Sequence, residues 1–117
     1  MGQEDFSEKR RAPRFKAEGA VKLVFADGAT YAGLLKDVSR IGAFVALQDA
    51  VEAWAYQSCS IEITATVAEE TVFISGECVV VRTTAKGVGI YINAIAQASR
   101  ANFVRFMSQV QRPENAI

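Results

Sequence analysis

The strict alternation of apolar and polar residues over residues 60–67 is the feature that most constrains the fold. Its two faces carry Ile61, Ile63, Ala65 and Val67 on one side and Ser60, Glu62, Thr64 and Thr66 on the other. Side chains of a β-strand point alternately to the two faces of the sheet, whereas a helix repeats every ~3.6 residues. The segment is therefore predicted to be a strand with one buried and one solvated face, which is typical of an antiparallel sheet.

Five further segments have the pattern of strands, and turn signals separate them. They span residues 21–25, 30–36, 43–47, 71–82 and 88–92. The pair Asp27-Gly28 is typical of a tight hairpin turn. Residues 68–70 and 85–87 predict two more turns, and Gly76, near the middle of the longest strand, predicts a bulge or bend.

The end of the chain has the pattern of a helix. Ser99 can cap it, Pro113 stops it, and one apolar stripe at helical spacing needs a partner surface. The stripe consists of Phe103, Phe106, Met107 and Val110. Residues 48–58 are predicted to be a loop with one turn. Together these segments predict an all-β fold with a C-terminal helix, as a six-stranded antiparallel β-barrel on which the helix packs.

Composition narrows the classes of function. The 117 residues suffice for one domain, and 13 Lys and Arg balance 13 Asp and Glu, so net charge does not draw the chain to nucleic acid or membrane. The chain has no histidine, and Cys59 and Cys78 are expected to be buried reduced thiols. We therefore expect no enzyme, no cofactor and no metal site.

The N-terminal sequence and the apolar runs bear on localisation. The first seven residues are polar and acidic rather than a signal peptide, and no apolar run reaches the ~18 residues of a membrane span. We therefore expect a cytoplasmic protein without membrane insertion.

Two short segments carry groups suited to ligand binding. Residues 9–14 read Lys-Arg-Arg-Ala-Pro-Arg, and residues 37–42 read Asp-Val-Ser-Arg-Ile-Gly, which an ordinary turn would also explain. An arginine fork matches phosphate oxygens and the acceptor edge of guanine, and a carboxylate accepts from the opposite edge. A hydroxyl can serve either group, and a glycine lets the backbone approach the ligand. If adjacent in space, the two segments make a site for a phosphorylated guanine compound.

The spacing of these residues resembles the two-part signature of PilZ domains. Arg10-x-x-x-Arg14 resembles the first part, and Asp37-x-Ser39-x-x-Gly42 resembles the second. Residues 76–81 and 87–92 resemble the last two barrel strands of that family, and the C-terminal helix fits as well. The resemblance covers residues 8–111. Residues 1–8 are predicted to be a flexible lead. The resemblance implies a PilZ-like split barrel over residues 9–112 with its helix at about 99–111, followed by a tail over residues 113–117.

The resemblance implies a non-enzymatic receptor for the bacterial second messenger cyclic di-GMP. In the family, the arginine motif lies on a flexible basic N-terminal arm that folds over the ligand. Arg10 and Arg14 would contact phosphates and guanine faces, and Arg11 would support them. Lys9 occupies a position that influences whether one messenger or an intercalated pair binds, and a cation there favours the pair.

The second motif would complete the site from the barrel. Asp37 and Ser39 would hydrogen-bond a guanine, and Gly42 would permit the turn. Many relatives carry an aromatic residue near the ligand in the penultimate strand, where this chain has three valines at residues 79–81. Either Tyr91 supplies a stacking contact or none is made, and a lost base stack would cost ~1 to 3 kcal/mol. Trp54 is expected to pack on the core or on a partner.

Ordering of the arm would present a new surface to an unidentified downstream protein. One alternative is a PilZ-fold interaction module that does not bind the nucleotide. Another is a basic-arm barrel that binds RNA or single-stranded DNA, which zero net charge and the polar strand faces disfavour, so we expect no nucleic-acid partner. The sequence does not distinguish a monomer from a homodimer. It also does not distinguish whether the signal acts on motility, adhesion, or exopolysaccharide and biofilm formation.

Overall fold

The barrel is closed by antiparallel pairing throughout. The computed structural model describes residues 12–48, residue 50 and residues 52–117. This part of the chain contains the strands β1 Phe15–Phe25, β2 Thr30–Val38, β3 Gly42–Ala46, β4 Ser58–Val67, β5 Glu70–Thr84 and β6 Gly87–Ile95. Their order around the barrel is β1-β2-β3-β6-β5-β4, and pairing of β1 with β4 closes it. The predicted six-stranded antiparallel barrel is confirmed.

The strands at the N-terminal end are longer than the alternation predicts. β1 begins at Phe15 rather than at residue 21, because Phe15 already pairs with Val38 of β2 and Ala17 is buried. Residues 17, 19 and 20 are alanine or glycine, and such small side chains do not mark a buried face in the sequence. β2 likewise continues through Val38, and β3 begins at Gly42. The predicted break at residues 37–42 is therefore only a turn over residues 39–41.

The C-terminal helix α1, Arg100–Val110, follows a short 3-10 turn at Gln97–Ser99 and packs across β1, β4 and β5. Phe106, Met107 and Val110 of the predicted stripe are buried, and Phe103 packs partly against the core. The residues assigned to a tail form a 3-10 turn at Pro113–Asn115, after which Ala116 bridges to Phe15. Within the described chain, no helix is both long and apolar enough to cross a membrane.

One end of the barrel is filled by aromatic side chains. The 3-10 turn Glu52–Trp54 falls inside the segment predicted to be a loop with one turn. Trp54 is only 7% exposed, and its ring centroid lies 5.1 Å from that of Phe25 and 4.6 Å from that of Tyr31. Trp54 is thus a core residue, which confirms the expectation that it packs on the core.

The two cysteines face each other inside the barrel. Cys59 of β4 pairs with Cys78 of β5, both are buried and free, and their sulfur atoms lie 3.4 Å apart. The expectation of buried reduced thiols is confirmed. The hydrogen bond to Cys59 and burial raise the pKa of the Cys78 thiol, because both favour its protonated form. The same hydrogen bond lowers the pKa of the Cys59 thiol. Both residues belong to the hydrophobic core.

Candidate functional site

The structure brings the last residue of the basic arm against the first residue of the second motif. Lys16 pairs with Asp37 in the β1–β2 ladder. Arg14, which directly precedes β1, therefore lies beside the end of β2. Its guanidinium donates two hydrogen bonds to Asp37 Oδ1, from Nη2 at 2.6 Å and from Nε at 3.1 Å. The Arg14 side chain is 46% exposed and that of Asp37 is 14% exposed. The adjacency that a shared site requires is therefore present for Arg14 and Asp37.

Asp37 reaches the outer surface because β2 contains a bulge. Leu35 pairs with Val45, and both are buried, so regular alternation would return Asp37 to the barrel interior. The register shifts between Leu35 and Asp37, and Asp37 pairs instead with Phe44. Lys36 is the extra residue, and such bulges commonly re-aim a side chain. The carboxylate thus lies on the outer wall beside the Phe44 ring.

Ser39 is used by the turn that contains it. Its Oγ accepts hydrogen bonds from the backbone N–H of Ile41 at 3.2 Å and of Gly42 at 3.1 Å, and its own N–H donates to the Gly42 carbonyl at 2.8 Å. The residue is 5% exposed. The turn role is therefore present in the structure, and a hydrogen bond from Ser39 to a ligand stays a prediction.

Ser39→Ala is expected to lower the free energy of unfolding by about 1 to 2 kcal/mol, because two amides of the turn lose their acceptor. Urea denaturation measures the change. Ser108→Ala is the control, since Ser108 is exposed on α1 and its loss should change stability by less than about 0.5 kcal/mol. Equal stability of the two variants would show that the hydroxyl does not hold the turn.

Gly42 is required by the close approach of β3 and β6. It pairs with Tyr91, and a Cβ at position 42 would lie 2.5 Å from the carbonyl oxygen of Ile90. Tyr91 is 46% exposed and pairs on its other side with Val79. Since paired residues share a face, Tyr91 projects from the same outer wall as Asp37 and Phe44. It is therefore in a position to supply the stacking contact suggested for it, which stays a prediction.

Arg14 and Asp37 lie outside three clefts of the described chain, whose volumes are about 940, 710 and 390 Å³. A ligand on this wall would need a cover from elsewhere in the chain. Lys9, Arg10, Arg11 and the predicted flexible lead lie outside the described residues, so their proximity to Asp37 stays a prediction.

Two residues of this wall were not identified from the sequence, namely Phe44 and Arg82. The Arg82 guanidinium lies over the Phe44 ring, with its central carbon 5.8 Å from the ring centroid. Neither residue belongs to a motif, and alternation alone places Arg82 inside the barrel. A sequence signal for them would have required the register of β5 against β6.

Comparison with known proteins identifies the fold and the family. The family model of the PilZ domain matches residues 8–109. The chain is similar in structure to the Bacillus subtilis inhibitor of motility (MotI/DgrA), with TM-score 0.70 and 20% identity over 91% of this chain and 51% of that one. It is also similar to the PilZ domain of CeSA from a cellulose-synthesizing bacterium, with TM-score 0.52 and 20% identity over 83% of this chain and 93% of that one.

These similarities differ in what they cover. The chain spans about half the length of the inhibitor of motility, and at this identity the two solved structures establish the fold alone. No curated protein matches the chain. The family model, in contrast, extends over most of the sequence, from the start of the basic arm almost to the end of α1. The protein therefore belongs to the PilZ domain family.

Proposed function

We propose that the protein is a non-enzymatic receptor for cyclic di-GMP. The observation that carries this proposal is the contact of Arg14 with Asp37, which joins the two halves of the PilZ signature on one outer wall. Family membership supports the ligand class. The proposed ligand-binding residues are Arg10, Arg11, Arg14, Asp37, Ser39 and Gly42, with Lys9 affecting stoichiometry. The barrel supplies the wall, and the basic arm supplies the cover.

Binding would exchange one partner of Asp37 for another. In the part of the chain that the structure describes, Asp37 accepts two hydrogen bonds from Arg14. A guanine can donate N–H groups to the same carboxylate, which frees the Arg14 fork for a phosphate or for the acceptor edge of the base. An exposed ion pair is worth only ~0 to 1 kcal/mol, so its loss opposes binding weakly. The pre-existing pair thus holds the end of the arm near the site at little energetic cost.

The signal would be the new position of the arm. When the arm folds over the ligand, it changes the surface beside β1 and β2, and we propose that a downstream protein in the bacterial cytoplasm recognises this change. One solved neighbour is an inhibitor of motility and another comes from a cellulose-synthesizing bacterium. Motility and exopolysaccharide synthesis are therefore the two outputs to test first in cells.

Isothermal titration of the full chain with cyclic di-GMP tests the proposal directly. We expect saturable heat at micromolar ligand and none with 5′-GMP at the same concentration, because a mononucleotide cannot occupy both halves of the site. The measured stoichiometry also reports whether one messenger or a pair binds. Absence of heat up to high micromolar cyclic di-GMP would reject the receptor function.

The alternative is a PilZ-fold interaction module that does not bind the nucleotide. The exposed apolar side chains of Phe73 and Leu34, 65% and 59% exposed, favour it because they are available to a protein partner. Pull-down from a bacterial lysate with and without cyclic di-GMP separates the two functions. A receptor captures its partner in a messenger-dependent way, whereas the module captures it equally in both conditions.

A further inference from the structure

An uncharged row of side chains crosses the outer wall of the barrel on the side where β1 pairs with β4. Each member of the row is the ladder partner of the next, from β2 through β1 and β4 to β5. Because ladder partners share a face of the sheet, all four side chains project outward. Those at the two ends, Leu34 and Phe73, are 59% and 65% exposed. This outer row consists of Leu34, Ala20, Thr64 and Phe73.

The side-chain sizes along the outer row suit contact with a second convex wall. Ala20 and Thr64, at the middle of the row, are small. Leu34 and Phe73 lie one strand further out on either side, three strand spacings or about 14 Å apart at ~4.8 Å each. Two convex barrels approach most closely at the middle of their contact and diverge to both sides. Large flanking side chains can therefore fill the gap that small central ones leave.

A cleft of about 710 Å³ lies beside Leu34, at one end of the outer row. Its lining includes the apolar side chains of Leu34, Ala46 and Leu47. Phe73 projects from the wall at the other end of the row. The same face thus carries an aromatic projection and an apolar cleft, at equal distances on opposite sides of the boundary between β1 and β4.

Two opposite charges lie at this boundary, next to the outer row. Lys22 pairs with Glu62 two residues along from Ala20 and Thr64, and Lys22 Nζ lies 3.5 Å from Glu62 Oε1. Both side chains are about half exposed. A twofold axis parallel to the strands, between β1 and β4, would bring each Lys22 over the Glu62 of a second copy. The four groups would then alternate in sign around a square, so that each charge has two opposite neighbours.

We propose that this face forms a homodimer about that axis, with Phe73 of one copy in the cleft beside Leu34 of the other. The same axis places Ala20 against Thr64, so the outer row is complementary to itself, as a twofold interface requires. The row belongs to neither PilZ motif, and the proposal does not depend on the proposed function. The dimer would cover the two exposed apolar side chains that favour the interaction-module alternative.

Sedimentation equilibrium of the full chain without cyclic di-GMP measures the dimer. We expect a Kd on the order of 10 µM, because the contact surface is small for a protein interface. Phe73→Ser is expected to raise Kd at least about tenfold, since aromatic anchors in pockets carry much of the binding energy. Val104→Ser is the matched control, because Val104 is 63% exposed but lines a different cleft, between α1 and β6. Its Kd should stay within about twofold of wild type.

Charge reversal tests the alternating square. Lys22→Glu would bring four carboxylates together and Glu62→Lys four ammonium groups, so each change is expected to weaken the dimer at least about tenfold, most strongly in low salt. The double variant restores the alternation, and its Kd should return to within about threefold of wild type. The pair within one chain is exposed, so neither single change should unfold the barrel, which thermal unfolding checks.

Three results would contradict the homodimer as described. A wild-type chain that stays monomeric at about 200 µM would overturn it and leave the face to a different protein. Equal Kd values for Phe73→Ser and Val104→Ser would remove Phe73 from the interface. A double charge variant as weak as the two single variants would overturn the proposed axis, since any other orientation separates Lys22 from the Glu62 of the second copy.

Discussion

Arg14→Ala is expected to raise Kd for cyclic di-GMP by roughly a hundredfold or more while the barrel stays folded. Arg14 contacts Asp37 directly, so its guanidinium lies beside any ligand that binds to that carboxylate. A hydrogen bond to a charged group contributes ~1.5 to 3 kcal/mol, and a lost bidentate contact removes two of them. Two decades of affinity correspond to about 2.7 kcal/mol, just below the lower end of the about 3 to 6 kcal/mol expected for two such hydrogen bonds.

Stability should change little in the same variant. The Arg14 side chain is nearly half exposed, and an ion pair of this kind contributes ~0 to 1 kcal/mol to folding. Calorimetric titration therefore reports the binding loss, and thermal unfolding confirms that the variant is folded. Arg14→Lys should bind with intermediate affinity, because it keeps the charge but not the planar fork.

Lys86→Ala is the control for Arg14→Ala. Lys86 is an exposed cation at the turn between β5 and β6, and it lies outside both motifs. Its removal changes net charge by the same amount, so any general electrostatic effect on an anionic ligand appears in both variants. Binding by Arg14→Ala as tight as that by Lys86→Ala would remove the arm from the site.

The strands were predictable where the two faces of a strand differ in polarity. β4 is the clearest case, because every inward residue from Cys59 to Val67 is apolar and buried. The early part of β1 was not predictable, because Ala17 and Gly19 carry too little apolar surface to mark an inward face. Pairing with β2 and β4, rather than local pattern, makes this segment a strand.

The chemical groups of the site were predictable where they lie close together in the sequence. A carboxylate, a hydroxyl and a glycine within residues 37–42 define a turn and a possible ligand contact wherever the turn lies. The outward direction of Asp37 and Arg82 is different, because it depends on bulges at Lys36 and Val81. Neither bulge contains glycine or proline, and residues 79–81 are all valine, so the shift leaves no mark in composition. It follows only from the register of the neighbouring strands.

Register also determines whether the barrel tolerates a side chain at the position of a glycine. Gly42→Ala is expected to lower the free energy of unfolding by about 2 to 3 kcal/mol, because its Cβ would lie 2.5 Å from the backbone oxygen of Ile90 and would force β3 away from β6. Gly89→Ala, in the same ladder, would meet only the movable side chain of Arg82 and should cost less than about 1 kcal/mol. Urea denaturation of both variants measures the difference, and equal losses would show that β3–β6 approach is not the cause. Because Gly42 is also part of the proposed ligand motif, its binding must be measured well below the unfolding transition. Even under those conditions, a loss of affinity would include the effect of displacing Tyr91, the ladder partner of Gly42. Gly42→Ala therefore tests the architecture of the barrel wall, whereas Arg14→Ala tests the ligand contact.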